Sequence, residues 1–426
     1  MNTATGSPIP AHVDPLIVWK QTDQMQVPYQ VFTDPRIFNS EQERIFRGPH
    51  WSFLGLEAEM PEPNDFKATY LGDTPVVVTR DRGGVIHAWV NRCAHRGAMV
   101  CRDRRGNADA FTCIYHQWLY DAEGNLRGVP FRRGLGGEGG MPSSFDMKEH
   151  RLPPLRVATY CGLIFASFAR DSEVESLETY LGAEVCAMLD RIFGRPIELL
   201  GDERQVMHAN WKLYSENTRD AYHGSLLHLF HATFGLYRST QKGGCQMDTQ
   251  GRHSLITATK TESKDEVSTG GLRTYQEGKF SLEDPSLLTG TPDFSDGVSL
   301  VILAIFPNLV VHQIANSLAV RQMLPRAVDQ MELVWTYFGY ADDSTEARGS
   351  RLKQMNLVGP GGLISMEDGE AMELVQQAIA RDGEATSYIA MGGRKGEPQE
   401  NLVNEAPIIS YWDYYRRAMK FTLLAS

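Results

Sequence analysis

Asn91-Arg92-Cys93-Ala94-His95-Arg96-Gly97 and, further on, Cys113-Ile114-Tyr115-His116-Gln117-Trp118 place two Cys-plus-His pairs in one short region, with 17 residues between His95 and Cys113. Each pair is compact enough to occupy its own loop. Together they offer two thiolates and two imidazoles, a donor set suited to iron–sulfur iron or to zinc. In a mixed-ligand [2Fe–2S] centre two Cys bind one iron and two His bind the other, so a Cys and its nearby His can flank a diamond-shaped cluster. A structural Cys2His2 zinc site is the alternative. Zinc fingers, however, pair Cys with Cys and His with His, and carry the second pair on a helix. Gly97 and Gly124 fit the sharp turns such loops need. Cys101 matches neither loop and reads as an inert thiol.

Outward from these loops, short β-rich runs recur at 74–80, 85–91, 110–115, 155–159 and 163–168, separated by turn clusters such as Asp81-Arg82-Gly83-Gly84 and Asp121-Ala122-Glu123-Gly124. Strands so spaced predict a small all-β domain. Upstream, a short helix is expected at 40–47. Downstream, 173–193 reads as helix, 204–208 as strand, 212–234 as helix, 298–324 as two long strands, 365–380 as helix and 394–405 as a polar loop. Mixed helices and strands predict an α+β second domain. The expected division is 1–45 as an N-terminal segment packing on the second large domain, 46–168 as the domain of the Cys-plus-His loops and 169–426 as that second domain.

The chain has 426 residues, enough for two to three domains. With 42% hydrophobic residues it can build real cores. A net charge of -11 argues against a broad nucleic-acid surface. The N-terminal residues show no basic and apolar leader pattern, and the longest mostly apolar run, 298–306, is too short to span a bilayer. A cytoplasmic protein is expected, its six cysteines being free thiols or metal ligands rather than a disulfide framework. Gly134-Leu135-Gly136-Gly137-Glu138-Gly139 matches a dinucleotide fingerprint, but Pro130 precedes it and Pro142 follows, where a strand and a helix should lie. It reads as a surface loop, so the chain itself is not expected to bind a nicotinamide.

His223 and His228 are five apart. In a regular helix that spacing puts them about 140° apart, so converging on one metal requires a broken or widened helix, for which Gly224 is the candidate. A 2-His-1-carboxylate face leaves iron positions open for oxygen. With both constellations in view, the chain resembles the aromatic-ring-hydroxylating Rieske oxygenases over nearly its whole length. It is most similar to the large subunits that act on aromatic carboxylates: terephthalate, salicylate, anthranilate and halobenzoate.

That resemblance implies an α+β fold class: an N-terminal all-β Rieske domain, then a catalytic domain with an antiparallel sheet and helices around a mononuclear iron. It implies a [2Fe–2S] cluster on Cys93, His95, Cys113 and His116, and Fe(II) on His223, His228 and a carboxylate after Gly359-Pro360-Gly361-Gly362. The register points to Asp368, with Glu367 a local rival and Glu370 a weaker one. Asp220 matches the family aspartate that bridges a cluster His of one subunit to an iron His of the next, orienting imidazole N–H groups. Asn217 is carried as a substrate-side residue, although two residues separate it from Asp220 where naphthalene-type chains have three. His231 is expected behind the ligands or in the core rather than as a fourth ligand.

Arg321 shares its strand face with Ala315, Ser317 and Ala319, whose small side chains leave room for a ligand, and a guanidinium can hold a carboxylate by a bidentate fork. A structural salt bridge is the competing role. The expected activity is O2-dependent hydroxylation or dihydroxylation of an aromatic carboxylate, an ortho-substituted benzoate such as anthranilate, salicylate or a 2-halobenzoate. Terephthalate is the runner-up, for which Arg394 or Lys395 would supply a second cation. Electrons would come from NADH through a reductase, with a ferredoxin as an optional carrier. Expected partners are a small β-subunit in an α3β3 assembly, or an α3 assembly, with no nucleic acid and no membrane. A Rieske electron carrier would need only 50–168, so the His223/His228 segment counts against that class.

Overall fold

Val- and Thr-rich runs broken by glycine turns build the first half of the chain into sheets. In the computed structural model, which describes residues 19–20, 26–170, 172–259, 280–393, 397–421 and 423–424, four antiparallel strands run Ile86–Val90, Thr74–Arg80, Asp65–Leu71, Arg105–Asn107 from edge to edge. Ser52–Leu56, Leu163–Ser167 and Arg156–Tyr160 form a second sheet. Ala110–Thr112, Leu119–Asp121 and Leu126–Gly128 form a third. The strand expected over 110–115 ends at Thr112, because Cys113 already belongs to a loop.

The second half rests on one antiparallel seven-stranded sheet, ordered Ile197–Met207, Gln330–Tyr340, Ser317–Ala327, Leu309–Ile314, Val298–Ile305, Ser254–Thr259, Gly243–Met247. Three strands rather than two occupy 298–324, since turns at Pro307-Asn308 and at Ala315-Asn316 divide the run. Alternation then sorts the side chains. Val301, Leu303, Val311 and Val320 face the helices Leu177–Leu181 and Ala183–Phe193, which Gly182 at φ 80° separates where a single helix was expected. Leu300, Val310, Ala319 and Met323 face Trp211, Tyr214, Met372 and Ile409 on the other side. The helices Trp211–Asn217, Ser365–Ile379 and Ala406–Ala418 cover this second face, and the metal-binding candidates lie there.

The helix expected at 40–47 starts earlier, as Pro35–Glu41 capped by Asp34, and widens into a π-helical turn Gln42–Phe46. Its Glu41 is fully buried in an ion pair with Lys212 at 2.7 Å, Trp19 packs on Trp412 at 5.8 Å, and Gln26–Pro28 pairs with Thr386–Tyr388. The two halves meet where Asn308 exchanges hydrogen bonds with the Phe53 backbone, 2.8 and 3.0 Å, and where the Thr69 hydroxyl donates to Gln322 at 3.1 Å. Arg394 and Lys395 lie outside the described residues.

Candidate active site and metal centres

The two Cys-plus-His loops close in the same way. Cys93 N–H donates to Ala98 O and Cys113 N–H to Trp118 O, while Gly97 and Gln117 donate back to the carbonyls of Cys93 and Cys113, all at 2.8–2.9 Å. The fourth residue after each Cys therefore takes a positive φ, 78° at Gly97 and 57° at Gln117. Gly124 has another duty than the one expected: it turns the hairpin after Asp121, with φ 79°, and packs against Trp89. Both thiols are buried and both imidazoles sit nearer the surface. The His95 and His116 rings are 4.4 Å apart, and Trp118 stacks on His95 at 4.9 Å.

These residues fit a two-iron cluster better than zinc. Ligands of one tetrahedral zinc lie roughly 4 Å from one another. Among the described residues only His223, His228 and Asp368 bring three such donor atoms within 4.8 Å of one another, so the four Cys and His donors do not converge on a single ion. His95 Nδ1 is buried with no protein partner, as suits an atom aimed at a metal. The Tyr120 hydroxyl lies 3.3 Å from Cys93 Sγ.

The second centre is a true convergence. Asp368 Oδ1 lies 3.4 Å from His223 Nε2 and 3.3 Å from His228 Nε2. The chain reaches this arrangement by abandoning the helix expected over 212–234. Trp211–Asn217 ends, an irregular turn holds Asp220, Gly224–Leu227 forms one turn, and His228 at φ -85°, ψ 67° breaks the chain again before Leu229–Thr233. Gly224 is not the hinge. It is glycine because the Tyr237 ring packs where a Cβ would stand, 2.4 Å away. Asp368 sits in the first turn of Ser365–Ile379, where the helix dipole favours a carboxylate.

Each imidazole presents Nε2 to Asp368 and turns Nδ1 to another carboxylate: His223 to Asp220 at 3.1 Å and His228 to Glu367 at 2.8 Å. Glu367, considered as a ligand, is thus brought behind a histidine instead. Asn217 donates from its amide to Asp368 Oδ1 at 2.9 Å. Burial alone would raise the Asp368 carboxyl, but the two imidazoles outweigh it and hold it well below the usual carboxylate range. Burial would lower His223, yet Asp220 and Asp368 push it up to about 10. The site is built to hold positive charge between carboxylates, as a 2-His-1-carboxylate iron site requires.

Beside the triad lies a small, mostly apolar cavity that both histidines and Asp368 help to line. Ile256, Leu300, Ile302, Ile314 and Ile364 make its apolar wall. Arg321 enters it from the sheet. Its Nε donates to His312 Nδ1 at 2.9 Å, one Nη donates to the Tyr214 hydroxyl at 3.0 Å, and the guanidinium lies 4.1 Å over Trp335. The other Nη is buried without a hydrogen-bond partner, and no carboxylate among the described residues pairs with Arg321. The structural salt bridge weighed for it is absent there.

Residues 50–143 match the Rieske [2Fe-2S] domain family, and residues 196–417 match the ring hydroxylating alpha subunit (catalytic domain) family. The chain belongs to the Rieske ring-hydroxylating alpha subunits. It is 51% identical over 402 residues to the anthranilate 1,2-dioxygenase large subunit of Burkholderia cepacia, covering 94% of each chain. It is 45% identical over 406 residues to a terephthalate 1,2-dioxygenase terminal oxygenase alpha subunit of Comamonas sp., covering 95% of this chain and 98% of that one. Its fold superposes on naphthalene 1,2-dioxygenase from Rhodococcus sp. with a TM-score of 0.77 at 26% identity, covering 92% and 94% of the two chains. This alpha subunit is accordingly an oxidoreductase of the [2Fe–2S] and non-haem iron type, a family that typically uses O2 and NADH-derived electrons delivered through a reductase. No helix among its described residues is long and apolar enough to cross a membrane.

Three supporting residues escaped the sequence reading. Tyr214 and His312, which hold Arg321, stand 107 and 9 residues from it and carry no motif. Gln117 could have been found by aligning the two loops on their cysteines, since it occupies the place of Gly97.

Proposed function

We propose that this alpha subunit oxygenates the ring of an aromatic carboxylate, an ortho-substituted benzoate such as anthranilate, salicylate or a 2-halobenzoate. One observation carries the reading: a buried guanidinium without a carboxylate partner faces the same cavity as the iron triad. A buried cation in that state favours an anionic guest. Likeness to the anthranilate enzyme supports the same class. Terephthalate, suggested by the second relative, carries a second carboxylate, and among the described residues Arg321 is the sole Arg or Lys lining the cavity.

In this reading Cys93, His95, Cys113 and His116 hold the cluster, and His223, His228 and Asp368 hold the iron. Iron bound there supplies oxygen activation, and the cluster supplies the electrons. The protein's own work is positioning. Asp220 and Glu367 fix the two imidazole planes from behind, and the Asn217 amide fixes one oxygen of Asp368. Arg321 anchors the substrate carboxylate while the isoleucine-rich wall grips the ring and excludes water. Dihydroxylation across the carbons bearing carboxylate and an amino or halogen group would collapse to a catechol, with loss of CO2 and of ammonia or halide. A small β-subunit and a reductase complete the assembly, and Asp220 would couple the iron to the cluster of a neighbouring subunit. Product analysis with a panel of substituted benzoates and a surrogate reductase tests this. Hydroxylated products should come from ortho-substituted benzoates, and turnover of terephthalate alone would overturn the preference.

A further inference from the structure

The polar atoms around the cavity nearly all have work to do. Asp220, His223, His228, Asp368 and Asn217 serve one another, and the Tyr237 hydroxyl donates to Ala221 O at 3.0 Å. His223 Nδ1 faces Asp220 at 3.1 Å as an ion pair rather than a hydrogen bond, and two further groups have no partner of either kind: one Nη of Arg321, and both ring nitrogens of His231. His231 lies in Leu229–Thr233, is 1% exposed and lines the cavity, with its ring 6.3 Å from that of His228. A buried imidazole with neither nitrogen paired is rare enough to require an explanation.

We infer that His231 is the specificity residue for a protic substituent, an amino or hydroxyl group beside the carboxylate of the substrate. This rests on the aromatic-carboxylate reading above and deepens it. A neutral imidazole has one N–H and one lone pair. An amino or hydroxyl group gives a hydrogen to that lone pair, whereas a halogen or a bare C–H leaves it unmet. A second carboxylate would be a buried anion resting on a neutral ring, a costly arrangement. Burial, followed by the neighbouring His228, lowers the ring to about 3, in keeping with a neutral group. A site that hydrogen-bonds a substrate group discriminates sharply against analogues lacking it, because its own polar atom is then stranded.

The test is equilibrium binding to the cluster- and iron-loaded oxygenase, using benzoate, 2-aminobenzoate, 2-hydroxybenzoate and 2-chlorobenzoate. Wild type should favour the amino and hydroxy acids over benzoate and the chloro acid. His231→Leu should shrink that ratio by roughly 10-fold or more, and His231→Gln, which keeps an acceptor oxygen, should restore part of it. Iron content and the cluster signal, measured on the same samples, should match wild type. An unchanged ratio in His231→Leu, or loss of iron from both variants, overturns the assignment of His231 while leaving the aromatic-acid reading intact. Failure of wild type to bind any of the four acids, or an Arg321→Leu variant that binds them undiminished, overturns both.

Discussion

Arg321, which lines the cavity, has its Nε and one Nη spent on His312 and Tyr214, its face on Trp335, and its other Nη buried without a partner. Replacing it with Leu should raise KM for benzoates by roughly 10- to 100-fold, the loss of a charge-assisted pair, with a smaller effect on kcat. An unchanged KM across the panel would return Arg321 to a packing role. Asp368→Ala should empty the mononuclear site, because two imidazoles alone hold Fe(II) poorly, and should leave the [2Fe–2S] signal intact. Metal analysis showing full iron stoichiometry would transfer the ligand role to Glu367. At this scale the residue types were legible from the sequence: two Cys-plus-His pairs and a His pair are rare and chemically specific. Their supports were not, since Glu367 reaches His228 across 139 residues. Adjacent helical side chains point about 100° apart, so Asp368 and Glu367 serve two different histidines from one helical turn.

The element that shapes the iron site is the interrupted segment from Trp211 to Thr233. Periodicity suggested one helix because its apolar residues face the sheet, but the metal geometry demands two breaks, and their cost is offset by packing that no local pattern encodes. Gly224→Ala would press a methyl into the Tyr237 ring, forcing that ring or the short helix away. The expected outcome is reduced iron content with a normal cluster spectrum, and full iron loading would show that the segment has slack. A second element, the helix Thr345–Val358, is tied to the sheet by Arg351, which is 1% exposed and pairs with Asp293 and Asp343, each at 2.6 Å. Burial raises the Asp343 carboxyl, but its bonds to Arg351 win and hold it below the usual range. A depressed carboxyl contributes stability above its unfolded pKa of about 4, and that contribution is lost as pH falls through the folded value. Asp343→Asn should therefore lower the unfolding free energy at pH 7, on the order of 1 kcal/mol, with the gap to wild type closing in acid. A gap that does not narrow as pH falls from about 4 toward the folded value would rule this linkage out.

Across the whole molecule, the seam between the two halves uses Phe53, Thr69, Asn308 and Gln322, while Ile114 and Tyr115 of the second cluster loop remain about 60% exposed. An exposed apolar loop beside a redox centre suits docking against another subunit. Co-assembly of Cys113→Ser chains, lacking a cluster, with Asp368→Ala chains, lacking iron, should recover turnover that neither has alone. Persistent inactivity of properly assembled mixtures would place electron transfer within one chain. By itself, the sequence determined the donor chemistry, the all-β character around the cluster and the α+β character downstream, because ligand types, loop spacing and hydrophobic period are local properties. Only the tertiary structure decided that Glu367 backs His228, that the chain breaks at His228 and not at Gly224, and that Arg321 and His231 share one cavity with the triad. Those facts arise where the sheet face and covering helices pack, between residues far apart along the chain, and no spacing in the sequence records them.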